Sequence, residues 1–188
     1  MNKQFGTRDA AYVAMGAALL ALCSWLTVPM TVPFTMQTFA VCLVAALFGA
    51  RRGLWTVGCW MLLGILGAPV FSGFRGGFGV LLGTTGGYIT GFLFTALIVG
   101  VAAERSGRKL PALLVSMALG VLVCYAFGTA WFMAVYAKNS GPIGLGTALG
   151  WCVLPYLLPD AVKIALAASL TGRLYPLLFL KTKKQMSS

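Results

Sequence analysis

Three acidic side chains, Asp9, Glu104 and Asp160, stand in this sequence of 188 residues, and there is no histidine. Acid/base catalysis by paired carboxylates needs two of them close together. Asp9 and Glu104 instead lie in basic flanks of long apolar runs. Without histidine no Ser-His-Asp or Cys-His arrangement is possible, and no Gly-x-x-x-x-Gly-Lys-Ser/Thr loop is present to cradle ATP. Gly77-x-Gly79 and Gly144-x-Gly146 do not complete a dinucleotide fingerprint. Cys23, Cys42, Cys59, Cys124 and Cys152 are odd in number, scattered through apolar runs, and form no Cys-x-x-Cys. That pattern fits buried small thiols better than a zinc site or a disulfide framework. No catalytic residue, metal or cofactor is expected, and the chain is not expected to be an enzyme.

Asp160 and Lys163 are the residues whose placement is unusual, in Leu158-Pro159-Asp160-Ala161-Val162-Lys163. A spacing of three puts acid and amine on one helix face, about one turn apart. Ionisable groups at membrane depth are costly and face a partner or a watery cavity. Pro159 suits a first helical turn, and an acid beside it complements the positive helix end. Three readings stand open here: a self-neutralising ion pair with a helix-start acid, a ligand site, or a lysine snorkelling to the interface. Arg75, in Phe71-Ser72-Gly73-Phe74-Arg75-Gly76-Gly77, is either an anion clamp in a glycine-rich loop or a solvated charge touching lipid phosphate.

The elements that must position these residues follow from composition. Hydrophobic residues make up 60% of the chain and charged ones 9%, with a mean hydropathy of +0.92. A soluble domain carries about 25% charge, so an ordinary water-soluble globule is excluded. Apolar runs predict six transmembrane helices in one membrane-embedded domain over residues 1–188. They fall near Ala10–Val28, Thr35–Ala50, Gly53–Gly67, Val80–Ala103, Pro111–Tyr136 and Pro159–Leu180. The second and third are short and separated only by Arg51-Arg52, as in a tight hairpin at one membrane face. Lys3 and Arg8 precede a first run too long for a signal-peptide core, with no evident cleavage site, so an uncleaved first helix is expected.

The net charge of +11 sorts by side. Lys3, Arg8, Arg51, Arg52, Arg105, Arg108, Lys109, Lys181, Lys183 and Lys184 fall on one side, and only Arg75 and Lys138 on the other, with Lys163 and Arg173 inside the last helix. The positive-inside rule then places both termini in the cytoplasm. Nucleic acid is not an expected partner, because no basic face is interleaved with aromatics; the expected surroundings are a lipid bilayer. Gly144 to Leu158 is apolar but too short to span, which suits an interfacial or re-entrant piece. Two small-residue stripes, Ala10, Ala14, Ala18 and Gly83, Gly87, Gly91, serve either internal packing or the docking of another membrane subunit.

Four ordered segments carry a family resemblance. They are Val32-Pro33-Phe34-Thr35-Met36-Gln37-Thr38, Gly64-x-x-Gly67-Ala68-Pro69-Val70-Phe71, Gly83-Thr84-Thr85-Gly86-Gly87-Tyr88-x-x-Gly91-Phe92, and Leu154-Pro155-x-x-x-Pro159-Asp160-x-x-Lys163. From about Ala10 to Leu180 the chain resembles the BioY family, the biotin-capturing S-components of energy-coupling factor transporters. Thr84-Thr85 departs from the Pro-Thr pair expected there, which bears on the start of the fourth helix more than on ligand chemistry.

The resemblance implies an all-α, six-helix subunit in the bacterial cytoplasmic membrane that captures biotin beneath the loop joining helices one and two. Its implied partners are an energy-coupling transmembrane subunit and two ATP-hydrolysing subunits, with Ala10, Ala14 and Ala18 as the docking ridge. Asp160 would accept hydrogen bonds from the ureido ring. Lys163 would attract the valerate carboxylate or hold Asp160 in place. Thr35, Gln37 and Tyr88 would add polar contacts, Phe34, Phe71 and Trp151 would form apolar walls, and Arg75 would supply a further cation. An S-component for another vitamin, an autonomous facilitator and a structural subunit without ligand are the alternatives.

Overall fold

The computed structural model describes residues 6–180. Lys3, Lys181, Lys183 and Lys184, which belong to the basic set above, lie outside them. The main helices are α1 (Thr7–Trp25), α2 (Gln37–Ile65), α4 (Gly86–Ser106), α5 (Leu110–Ser140) and α7 (Leu154–Tyr175). Two short helices, α3 (Phe78–Leu82) and α6 (Leu145–Cys152), sit in the connections. A two-stranded hairpin, β1 (Thr27–Val28) with β2 (Phe34–Thr35), joins α1 to α2, with Thr27 opposite Thr35 and Val28 opposite Phe34. Among the described residues, four helical stretches are long and apolar enough to cross a membrane: α2, α4, α5 and Leu154–Phe179.

The hairpin expected at Arg51-Arg52 lies two residues earlier, inside α2. Gly49 has φ 83° and ψ 176°, a conformation open to glycine alone at little cost. A Cβ built on Gly53 would lie 3.1 Å from the Cα of Ala45. In a straight helix residues eight apart are separated by about 12 Å, so the chain reverses at Gly49 and α2 is two antiparallel limbs. Arg51 and Arg52 open the second limb. The first limb is buried at every position from Ala40 to Leu47, as expected of a helix apolar all round.

Gly49 is also where α4 touches the turn. A side chain there would strike the Glu104 carboxylate, whose Oε1 accepts the Ala50 N–H at 3.1 Å. Arg108 donates to the carbonyls of Ala46 and Leu47 at 3.0 and 3.3 Å. The carbonyls left over where one limb ends and the amide left over where the next begins are therefore both satisfied from one neighbouring segment. Asp9 meets Arg52 on the same end of the bundle, 2.6 Å from its Nε, and the Arg108 guanidinium lies over the Tyr175 ring at 3.7 Å. This is the basic end; the β-hairpin, α3 and α6 occupy the opposite end.

Several expected boundaries move. The first helix stops at Trp25, because residues 27–28 and 34–35 pair as strands. The fourth expected helix breaks at Gly83 into α3 and α4, so Gly83 drops out of the glycine stripe. Gly87 and Gly91 remain and serve internal packing: side chains there would collide with Trp131 and Cys124 of α5. Thr95 adds a hydrogen bond across the same contact, to the carbonyl of Gly120 at 2.9 Å, where small residues let backbones approach. The apolar stretch from Gly144 becomes α6, and α7 already begins at Leu154 with Pro155 in its first turn. Pro159 therefore lies inside α7, and Asp160 is not a helix-start acid.

Candidate functional site

Asp160 and Lys163 face inward from α7, each only 4% exposed. Lys163 Nζ donates to Asp160 Oδ1 at 2.7 Å and to the carbonyl of Thr35 at 2.6 Å, and it sits 3.9 Å from the centre of the Phe34 ring. The other carboxylate oxygen, Oδ2, accepts the hydroxyl of Tyr125 on α5. A buried charge pair is tolerable only when its remaining donors and acceptors are met. Here the ammonium has an anion, a carbonyl and an aromatic face around it. A carboxylate has about four lone-pair positions. Tyr125 and Lys163 take one each, and the remainder are open to further donors.

The pair borders a cavity of about 70 Å³, with further open space at its mouth. Thr35, Gln37, Tyr88, Asp160 and Lys163, five of the residues singled out from sequence, line it together. Thr35 donates through Oγ1 to Gln37 Oε1 at 3.0 Å. That leaves the Gln37 amide nitrogen without a partner among the described residues, as a donor beside the cavity. Tyr88 and Thr129 share a hydrogen bond of 2.9 Å between their hydroxyls. Phe92, Val121 and Cys124 supply apolar wall. A mostly apolar hollow with a few convergent polar groups is the form of a small-molecule site.

Four other residues are placed differently. Phe34 lies behind the lysine, stacked on Tyr156 at 6.3 Å. Phe71 is 1% exposed and packs edge-on against Trp60 at 5.0 Å, over Gly64. Its neighbours pin it there: Ser24 and Trp60 donate to the Val70 carbonyl at 2.7 and 3.0 Å, and Trp25 to that of Pro69 at 2.7 Å. Phe71 therefore anchors the connection and is not among the cavity's lining residues. Trp151 is 40% exposed and meets Tyr136 edge-on at 6.0 Å, also away from the lining, because the short α6 turns it outward. Arg75 is exposed, with Nε on the carbonyl of Ser72 at 3.2 Å. It borders a separate hollow at the cavity end that shares Pro33 and Thr85 with the inner one.

Tyr125 and Tyr156 are the site residues that sequence reasoning missed. Both are tyrosines in long apolar runs, and a buried phenol needs a hydrogen-bond partner; that was the available signal. Spacing to Asp160 could not have supplied it, since Tyr125 is on another helix.

On a different face, Ala10, Ala14 and Ala18 are exposed and line an apolar groove with Trp55, Leu62 and Leu63. The alanine stripe, for which the family resemblance implies docking, is thus exposed among the described residues.

Comparison with known proteins follows the same outline. Residues 1–179 match the family model described as the BioY family. The chain is 35% identical over 158 residues to a biotin transporter BioY of Thermotoga maritima, covering 84% of this chain and 89% of the relative. It is 36% identical over 168 residues to a probable biotin transporter BioY of Pyrococcus horikoshii, covering 89% and 96%. A crystal structure at 2.1 Å of the S-component for biotin from an ECF-type ABC transporter superposes with a TM-score of 0.80 at 26% identity, over 93% of this chain and 94% of that one. With a full-length family match, relatives above 30% identity and a shared fold, this chain belongs to the BioY family.

Proposed function

We propose that this chain is the biotin-capturing membrane subunit of an energy-coupling factor transporter, without catalytic activity of its own. The observation that carries the reading is the buried Asp160–Lys163 pair, braced by Tyr125 and bordering a cavity. Biotin offers two ureido N–H donors, a carbonyl, an apolar bicycle and a valerate carboxylate. Asp160 accepts a ureido N–H, the Gln37 amide donates to an oxygen of the ligand, and Tyr88 and Thr35 complete the polar edge. Phe34 supports the lysine from behind. Phe71 and Trp151 shape the connections around the site without lining it. Arg75, at the neighbouring hollow, draws the carboxylate toward the mouth.

The same reading gives six crossings: α1, the two limbs of α2, α4, α5 and α7. The antiparallel limbs at Gly49 and the gathering of Arg52 and Arg108 on one end support it. Positive charge then sets that end, with both termini, in the cytoplasm of a bacterial cell, and the cavity end outside. The energy for uptake comes from two partner ATPases through a coupling transmembrane subunit that seats on the groove of Ala10, Ala14 and Ala18.

The test is biotin binding by the purified chain. Asp160→Asn is expected to weaken it about 100-fold, since a charged hydrogen-bonding partner is removed from a buried site, while the variant still unfolds cooperatively. Unchanged affinity would remove the site assignment. A competition panel of labelled vitamins separates biotin from any other cargo. Ala14→Leu should keep biotin affinity and lose co-purification with the coupling subunit.

A further inference from the structure

The segment from Leu26 to Met36 forms one wall of the cavity through Val32, Pro33 and Thr35. Its base is well held: β1 pairs with β2, and the Met36 N–H reaches the Cys23 carbonyl at 3.1 Å. Its tip is not held in that way. Pro29, Met30 and Thr31 are exposed, and among the described residues one side-chain hydrogen bond reaches residues 29–33. That bond runs from the hydroxyl of Tyr156 to the carbonyl of Val32. Tyr156 is 6% exposed, stacks on Phe34 in β2 and projects from α7, as Lys163 does. Lys163 in turn holds the carbonyl of Thr35. Two side chains of one helix thus grip two carbonyls of one loop, three residues apart, on either side of Pro33.

From this geometry we infer that Tyr156 is a positioning residue that latches the 26–36 loop shut over the cavity, so that its hydroxyl sets how fast the cavity opens. The two grips differ in kind. Lys163 is a buried ammonium, and letting go of Thr35 would leave one of its donors without a partner. Tyr156 holds Val32 by a single neutral hydrogen bond where the exposed tip meets the buried base of the loop. Opening therefore starts at the exposed tip, Pro29 to Thr31, where buried contacts are fewest, and draws the buried Val32 off Tyr156 while the Asp160–Lys163 pair stays intact. Ring and hydroxyl separate cleanly in Tyr156→Phe, which keeps the stack on Phe34 and the wall of the cavity.

Two readouts on the full-length purified chain test the latch, and only the second rests on the biotin reading above. In the ligand-free protein, Cys152 lines the cavity and is buried, whereas Cys59 lies on the apolar groove. Labelling with N-ethylmaleimide, followed peptide by peptide, should be at least about fivefold faster at Cys152 in Tyr156→Phe than in wild type, with Cys59 unchanged. Equal Cys152 rates in the two proteins would overturn the latch, whatever the cargo proves to be. In a chase of labelled biotin, Tyr156→Phe should raise the dissociation rate about tenfold, and its association rate should rise in step with the faster Cys152 labelling. A change confined to association would also overturn it. Should wild type bind no biotin while Cys152 labelling still accelerates, the latch stands and the cargo assignment fails.

Discussion

Each end of the bundle contains an ion pair, and the two pairs are built for different ends. At the basic end Asp9 and Arg52 keep side-chain exposures of 19% and 32%, and water shares their charges. At the cavity end Asp160 and Lys163 keep 6% and 5%, and every neighbour of the charges is protein or cavity. Surface pairs contribute little because solvent screens them and holding two long side chains costs entropy. Buried pairs are costly to desolvate and more costly to break. A chain minimising free energy alone would fill the cavity end with apolar side chains. Retaining a charged network next to empty space teaches that the space is there to be occupied.

The largest test of this contrast is Lys163→Ala. It strands the Asp160 carboxylate with Tyr125 alone and should lower unfolding stability by about 3–5 kcal/mol, measured by thermal or denaturant unfolding in detergent, together with loss of biotin binding. Replacing both partners, Asp160→Leu with Lys163→Met, should recover most of that stability and none of the binding. If the double variant binds biotin, the pair is scaffolding and the contrast collapses. Next in size is Gly49→Ala, where a left-handed backbone and the Glu104 carboxylate both oppose a methyl group; a loss of about 1–3 kcal/mol is expected. Biotin affinity, measured on the fraction that stays folded, should be unchanged, since the turn is at the other end.

Smaller effects sharpen the comparison. Arg75→Ala should slow biotin association about threefold, and less at high salt, because a rim charge steers encounter more than it holds the ligand. An equal loss through faster dissociation would move Arg75 into the site itself. Smallest of all, Arg52→Ala should leave the unfolding midpoint where wild type has it, within the scatter of the measurement. A clear drop would mean that the basic end, too, is a sealed network.

Much of this was legible in the sequence, for identifiable reasons. Apolar run length fixes where helices form, and Asp160 with Lys163 stands out because charges are rare in such runs. Five of the residues picked out by motif, Thr35, Gln37, Tyr88, Asp160 and Lys163, meet around one cavity though they come from separate elements. What escaped was tertiary. Pro159 reads as a helix start, yet a proline is tolerated inside α7 once Leu154 and Pro155 have already begun the helix. Arg51-Arg52 reads as the turn, but the backbone conformation that reverses the chain belongs to Gly49. Phe71 and Trp151 look alike in sequence as apolar walls; their destinations depend on Trp60 and Tyr136, partners that no local pattern reveals.

The first limb of α2 runs only about 12 residues, or about 18 Å at the helical rise. A span that short facing lipid would thin the bilayer or tilt its surroundings. This one is wrapped by protein, so acyl chains never sense its length. In the orientation proposed above, with Arg51 and Arg52 at the inner boundary of a hydrocarbon layer of about 30 Å, the post would end roughly 12 Å below the outer boundary. On the proposed reading the vitamin would then be received well beneath the headgroups, while the surrounding leaflet keeps its ordinary thickness.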